Sequence, residues 1–128
     1  MTENELATII VDSCYKIHKA LGPGLLESVY EIVLEHELKL RGLAVERQVP
    51  ISIVYEGLVF EKAFQADLVV EDKVIIECKS IEEIARVHPK KLLTYLRLTN
   101  KRLGLLVNFG KELIKDGIKR VVNNLDEE

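Results

Sequence analysis

Ala66-Asp67-Leu68-Val69-Val70, a polar break at Glu71-Asp72-Lys73, and Val74-Ile75-Ile76-Glu77-Cys78-Lys79-Ser80 together decide how this chain folds. Both halves have the composition of buried β-strands, yet one carries an Asp and the other a Glu and a Lys. Charged groups in apolar strands cost free energy unless they are paired or bound to a metal. Side chains alternate along a strand. On the first half Phe64, Ala66, Leu68 and Val70 share one face, and Gln65, Asp67 and Val69 the other. On the second half Val74, Ile76 and Cys78 lie opposite Ile75, Glu77 and Lys79. Matching the apolar faces requires an odd-length loop, for example Glu71-Asp72-Lys73, because an even loop flips one strand over. That register sets Asp67 beside Glu77 and Gln65 beside Lys79, and so gathers the charges on one surface.

Upstream, Val45, Val49, Ile51, Ile53 and Tyr55 alternate mostly with polar residues, which predicts another strand. Pro50 puts that strand at a sheet edge. Glu56-Gly57 predicts a two-residue hairpin pairing Tyr55 with Leu58, Ile53 with Phe60 and Val49 with Phe64. Further upstream, Leu6, Ile9, Ile10, Cys14, Ile17 and Leu21 recur at helical spacing and predict a helix over 2–20. Gly22-Pro23-Gly24 stops it. A second helix is expected over 25–41, with Leu26, Val29, Val33 and Leu40 as its apolar stripe. Downstream, 86–99 predicts a helix with Leu92, Leu93 and Leu96 inward and Pro89 in its first turn. Residues 103–109 form a nearly continuous apolar run, as expected of a strand covered on both faces. Asp116-Gly117 predicts a turn followed by a short last strand. The order α-α-β-β-β-α-β with a short final element describes a single α/β domain over 1–128, a mixed β-sheet flanked by helices.

Apolar residues make up 48% of the chain and charged residues 30%, which suits a globular protein rather than a disordered one. No apolar run is long enough to span a membrane. The acidic start Met1-Thr2-Glu3-Asn4-Glu5 does not resemble a secretion signal. Two cysteines, Cys14 and Cys78, make no disulfide framework, and a cytoplasmic location is the expectation. The net charge of −3 hides an asymmetry: Arg86, Lys90, Lys91, Arg97, Lys101 and Arg102 fall in a stretch without Asp or Glu. Such a stripe suits a phosphate backbone, or equally a solvated helix face.

Two neighbouring carboxylates raise each other's pKa unless a cation lies between them. Mg²⁺ commonly takes one or two protein carboxylates and keeps several acidic waters. Lys79, on the same face as Glu77, can hold a phosphate or orient the attacking water, so the set suits phosphodiester hydrolysis. The plainer account is a surface Glu–Lys ladder with an unrelated Asp. The three histidines have no ligand spacing, and His18 and His88 read as core or surface residues.

Asp67 followed by Glu77-Cys78-Lys79 resembles the D…(D/E)XK signature of the PD-(D/E)XK nuclease superfamily. Gly24-Leu25-Leu26-Glu27-Ser28-Val29-Tyr30 resembles the motif of the GxxExxY family within it. With the segments 92–99 and 103–109, the resemblance covers nearly the whole chain. It implies a restriction-endonuclease-like core and a Mg²⁺ (or Mn²⁺) dependent nuclease acting on DNA. It also implies that Asp67, Glu77 and the Cys78 backbone carbonyl are metal ligands and that Lys79 is the catalytic lysine. Glu27 matches a further helical carboxylate, direct or through water, and Tyr30 lies one turn on from it. Relatives often carry a Gln four residues before the position of Tyr95, where this chain has Lys91. Gln65, Lys91 and Tyr95 are therefore expected as supporting residues, with Arg86, Lys90, Lys91 and Arg97 as nucleic-acid contacts. A non-catalytic binding module that retains the fold is the alternative, and fold analogy adds the expectation of a homodimer.

Overall fold

The computed structural model describes residues 1–126. The chain forms α1 (Glu3–Leu21), α2 (Glu27–Leu40), β1 (Val45–Tyr55), β2 (Leu58–Val70), β3 (Val74–Lys79), α3 (Val87–Thr99), β4 (Leu103–Asn108), a 3₁₀ turn (Ile114–Asp116) and β5 (Ile118–Val122). Thr2 starts α1 through a reciprocal cap: its hydroxyl accepts the Glu5 N–H at 3.1 Å and the Glu5 carboxylate accepts the Thr2 N–H at 2.9 Å. Two backbone donors that the helix leaves orphaned are thereby satisfied. Among the described residues no helix is long and apolar enough to cross a membrane.

The five strands lie in chain order in one sheet. All neighbours are antiparallel except β3 and β4, which α3 joins by a crossover. The architecture is therefore the expected mixed α/β sheet, with α1 and α2 on one face and α3 on the other. Val70 lies opposite Val74 and Leu68 opposite Ile76, the register that the odd loop requires. Every residue of β4 is buried, as its apolar run predicts.

Three expectations need correction. Tyr55 pairs with Leu58 and Ile53 with Phe60, but Val49 lies opposite Ala66, not Phe64. The register shifts because residues 61–63 of β2 bulge opposite Ser52. Second, Phe64 and Ala66 do not share a face with Leu68 and Val70. Val45, Leu68 and Val70 pack against α1 and α2, whereas Val49, Phe64, Ala66 and Val69 pack against α3. The faces exchange at Gln48, whose φ of 56° turns the strand over, and opposite it at Asp67, where the β1–β2 ladder is interrupted. Third, α2 buries Tyr30, Leu34 and Leu38 at four-residue spacing, while Leu26, Val29 and Leu40 are exposed. This helix is apolar on too many sides for periodicity alone to select its inner face.

Tyr30 is fully buried and stacks on Phe109, with centroids 4.5 Å apart and planes within 2°. Its hydroxyl donates to the Gly22 carbonyl and accepts the Leu25 N–H at 3.2 Å, which pins the α1–α2 turn. The Leu25 carbonyl in turn accepts the Ser80 hydroxyl at 2.6 Å, so this turn braces the chain just after β3. Asn108, fully buried, holds the same segment from the other side. Its side chain donates to the Ile81 carbonyl at 2.8 Å and accepts the Ile81 and Gly110 N–H groups, each at 3.0 Å.

Candidate active site

The interruption at Asp67 is where the chemistry gathers. Leu68↔Ile76 is the last regular pair between β2 and β3. Beyond it Asp67 Oδ2 accepts the Cys78 backbone N–H at 2.9 Å, replacing a ladder bond with a side-chain bond. Glu77 projects from β3 toward α3 and lines the same cleft as Asp67. The Cys78 side chain points the other way, into the core below α1 and α2.

Asp67, Glu77 and Lys79 line one cleft of about 220 Å³, together with Gln65, His88, Lys91, Leu92, Tyr95 and Leu106. One wall is acidic and the other basic. A larger groove of about 640 Å³ lies over α1, between Asn4, Val11, Tyr15 and Arg120, and holds no paired carboxylates.

Burial, and then the adjacent Asp67 carboxylate, pushes the Glu77 carboxyl up to about 9; the Lys79 charge opposes this only partly. Glu77 Oε1 is buried without a hydrogen-bond partner. An unpaired buried carboxylate oxygen beside a second carboxylate is costly, and a cation between them removes both penalties. The donor set suits a hard divalent ion that completes its shell with water and substrate oxygens. Among the described residues no group of three His, Cys, Asp or Glu is placed to hold a metal. The site therefore offers two carboxylates rather than three.

α3 supplies the basic wall. Its first turn carries no acidic residue, and Arg86 at its N-cap makes no side-chain cap bond. Lys91 and, in the first turn, His88 line the cleft from this helix, which puts a positive charge where an anion can be held. Tyr95, one turn on from Lys91, stacks on Phe64 with centroids 3.9 Å apart, which fixes the ring against β2. Burial and the charges of Glu77 and Asp67 raise the Tyr95 phenol's pKa, so it remains a hydroxyl donor. Gln65 donates to the Gln48 carbonyl at 3.2 Å, which ties the cleft wall to the left-handed residue of β1.

The other sequence candidates lie elsewhere. Glu27 is exposed at the start of α2 and is not among the residues lining the cleft; its charge reaches His88 at the rim. Tyr30 is a core residue of the neighbouring helix face. Arg86, Lys90 and Arg97 are exposed on and beside α3, outside the cleft. Two residues escaped the sequence reading. His88, expected in a core or surface role, lines the cleft; burial first, then Lys79 and Lys91, lowers its pKa. Its position in the first turn of the basic helix was the available signal. Glu31, one turn after Glu27, is buried against Gln48 and Arg47, and its carboxyl is raised by burial and by the Asp67 charge. No signal short of the correct inner face of α2 marks it.

Comparison with known proteins agrees with this geometry. The crystal structure of SSO0001 is similar at a TM-score of 0.55 and 23% identity, over 78% of this chain and 52% of that one. This likeness shows the fold, and the chain spans about half the length of SSO0001. No curated protein matches the chain. A profile of the PD-(D/E)XK nuclease superfamily matches residues 4–121, nearly the full length, and the chain belongs to that superfamily.

Proposed function

We propose that this protein is a divalent-metal-dependent nuclease that hydrolyses phosphodiester bonds in DNA. The observation that carries the reading is the buried, unpartnered Glu77 Oε1 beside Asp67, on the acidic wall of a cleft whose other wall is basic. Asp67, Glu77 and the Cys78 backbone carbonyl would hold the ion, Mg²⁺ or Mn²⁺. When bound, the ion supplies Lewis acidity and an acidic water. Lys79 orients the attacking water or neutralises the phosphate. Lys91 holds a non-bridging phosphate oxygen, with Gln65 and Tyr95 supplying neutral donors. Arg86, Lys90 and Arg97 extend the positive surface along α3 for the flanking backbone. Glu27, at the rim beside His88, is assigned a water-mediated role, and Tyr30 acts by bracing the turn against Ser80. Gly24, Glu27 and Tyr30 support placement in the GxxExxY family, and two free buried cysteines suit a cytoplasmic setting.

Glu27 outside the cleft, and Lys91 where relatives often have Gln, favour a second reading: a module that binds nucleic acid without cutting it. A cleavage assay over duplex, single-stranded and branched DNA with Mg²⁺ or Mn²⁺ separates the two. Cleavage that falls at least about a hundredfold in both Asp67→Ala and Lys79→Ala supports the nuclease. Activity surviving both substitutions sinks the assigned site, and metal-independent binding without cleavage selects the second reading.

A further inference from the structure

The inner stripe of α3 runs through positions 88, 92 and 96, each one turn from the next. Leu92 and Leu96 are fully buried between the helix and the sheet. Gly104 on β4 makes room for them: a Cβ there would lie 2.8–2.9 Å from the Leu92 side chain, and its absence lets α3 settle low over the sheet. His88 is the first member of the same stripe and its only polar one. The seat of Leu92 thereby lays the half-buried imidazole over the cleft. Its Nδ1 is buried without a hydrogen-bond partner, as is Glu77 Oε1 in the same cleft. Buried polar atoms are nearly always paired, because an unpaired one costs free energy, so two orphans in one cleft point to a ligand.

We propose that His88 is the proton acceptor of the cleft: its imidazole takes the proton of the water that attacks the phosphodiester. The inference rests on the nuclease reading and deepens it. What each lining group can do decides the choice. Asp67 and Glu77 are assigned to the ion on that reading. A Lys ammonium, at Lys79 or Lys91, offers three donors and no acceptor. The Tyr95 phenol stays a donor, and the amide of Gln65 takes up no proton. His88 is left, and its surroundings keep it neutral. Burial first, then the charges of Lys79 from β3 and Lys91 from α3, lower its pKa below the ordinary 6.5, with Glu27 on α2 opposing them. A neutral imidazole has one donor and one acceptor nitrogen. A third-ligand role does not fit, because among the described residues no three of His, Cys, Asp and Glu are placed to hold one ion. In the step itself Lys79 orients the water, whose oxygen bonds to phosphorus as its proton passes to His88, and the P–O bond to the leaving alkoxide breaks. The alkoxide takes a proton from a solvent water. The imidazolium returns its own to the hydroxide so formed, and the cycle closes with no other reactant.

The test compares wild type with His88→Gln, each loaded with Mg²⁺ or Mn²⁺, across a pH series on the DNA form that wild type cuts. The expected result is a kcat lower by about a hundredfold to ten-thousandfold, with KM little changed and the acidic limb of the kcat/KM profile lost. In wild type that limb should lie below 6.5, and it should move up in Lys91→Met and down in Glu27→Gln. Two readouts need no cleavage. In the metal-free protein the His88 ring signals in NMR should titrate below 6.5. His88→Gln should also keep the rise in thermal midpoint that the ion gives wild type. A His88→Gln enzyme with wild-type kcat overturns the proposal, as does a fall in kcat that leaves the acidic limb in place. Loss of the metal-induced rise overturns it too, since His88 would then be a ligand. Wild type that binds DNA without cutting it overturns the nuclease reading and this inference with it. Cleavage that depends on Asp67 but not on His88 overturns this inference alone.

Discussion

Asp67 is anchored by the strand that carries its partner carboxylate: its Oδ2 accepts the N–H of Cys78, the residue next to Glu77, at 2.9 Å. One acid of the pair is thus oriented by the backbone. The other, Glu77, keeps an oxygen without any partner. A cation entering the cleft meets one pre-set ligand and one that gains a partner only on binding.

The first consequence concerns pH. The Glu77 carboxyl is raised by burial and by Asp67 from 4.5 to about 9. Between those values the metal-free folded protein keeps a proton that the unfolded chain releases. The stability linked to this group is therefore complete below the lower value and is lost as pH rises toward the upper one. The slope is at most about 1.4 kcal/mol per pH unit. Urea melts in EDTA from pH 5 to 9 are expected to show this decline in wild type and a flatter profile in Glu77→Gln. Parallel profiles for the two proteins would mean that Glu77 is not held protonated.

Metal reverses that trend. At pH 8 Mg²⁺ or Mn²⁺ is expected to raise the thermal midpoint, because binding to the folded state alone adds about 2.7 kcal/mol at a hundredfold excess over Kd. For a domain of this size that is roughly 5–15 °C. Asp67→Asn and Glu77→Gln should each remove most of the shift. A midpoint that rises equally in both variants would put the ion elsewhere.

Tyr30 separates bracing from catalysis. Tyr30→Phe keeps the stacking on Phe109 but leaves the Gly22 carbonyl and the Leu25 N–H without their shared partner. A loss of about 1–2 kcal/mol in denaturant melts is expected. Tyr30→Ala removes the ring as well and is expected to cost about 3–5 kcal/mol. A neutral Tyr30→Phe would show that the α1–α2 turn does not need its pin.

Two glycines near the cleft should differ in tolerance. A Cβ at Gly104 would meet the Leu92 side chain at 2.8–2.9 Å, whereas one at Gly110 would run into the backbone nitrogen and carbonyl oxygen of Ile81. Leu92 can shift with α3, so Gly104→Ala is expected to cost about 1–3 kcal/mol. Gly110→Ala should cost more, because the Ile81 backbone is already clasped by Asn108. Equal midpoints for the two variants in urea would contradict this ranking.

Much of the acidic wall was legible because it rests on parity. An odd loop and two apolar faces suffice to bring Asp67 to Glu77, and Val70↔Val74 follows from the same rule. The exchange of faces at Gln48 was not legible, since nothing about a Gln announces a positive φ. Nor was the bulge opposite Ser52, which breaks parity arithmetic wherever it occurs. The basic wall was partly legible: the family resemblance pointed to Lys91 and Tyr95, and helical spacing puts the two on one face of α3. His88 depends on how α3 is laid across the sheet, a tertiary fact. Glu31 was hidden by the apolar excess of α2, which made Leu26 and Val29 look like core, while the family motif pointed to the exposed Glu27.

The connection between α1 and α2 has a further implication. Surface turns between helices are ordinarily where a small domain absorbs insertions and deletions. Here the Gly22–Leu25 turn is tied to Tyr30 below it and to Ser80 beside it, one residue past Lys79. Its length is in effect a gauge for the position of that lysine. Lineages that vary freely in the exposed β1–β2 tip should therefore hold this turn to a constant length, and a single inserted residue here should disturb the cleft more than several added at Glu56-Gly57.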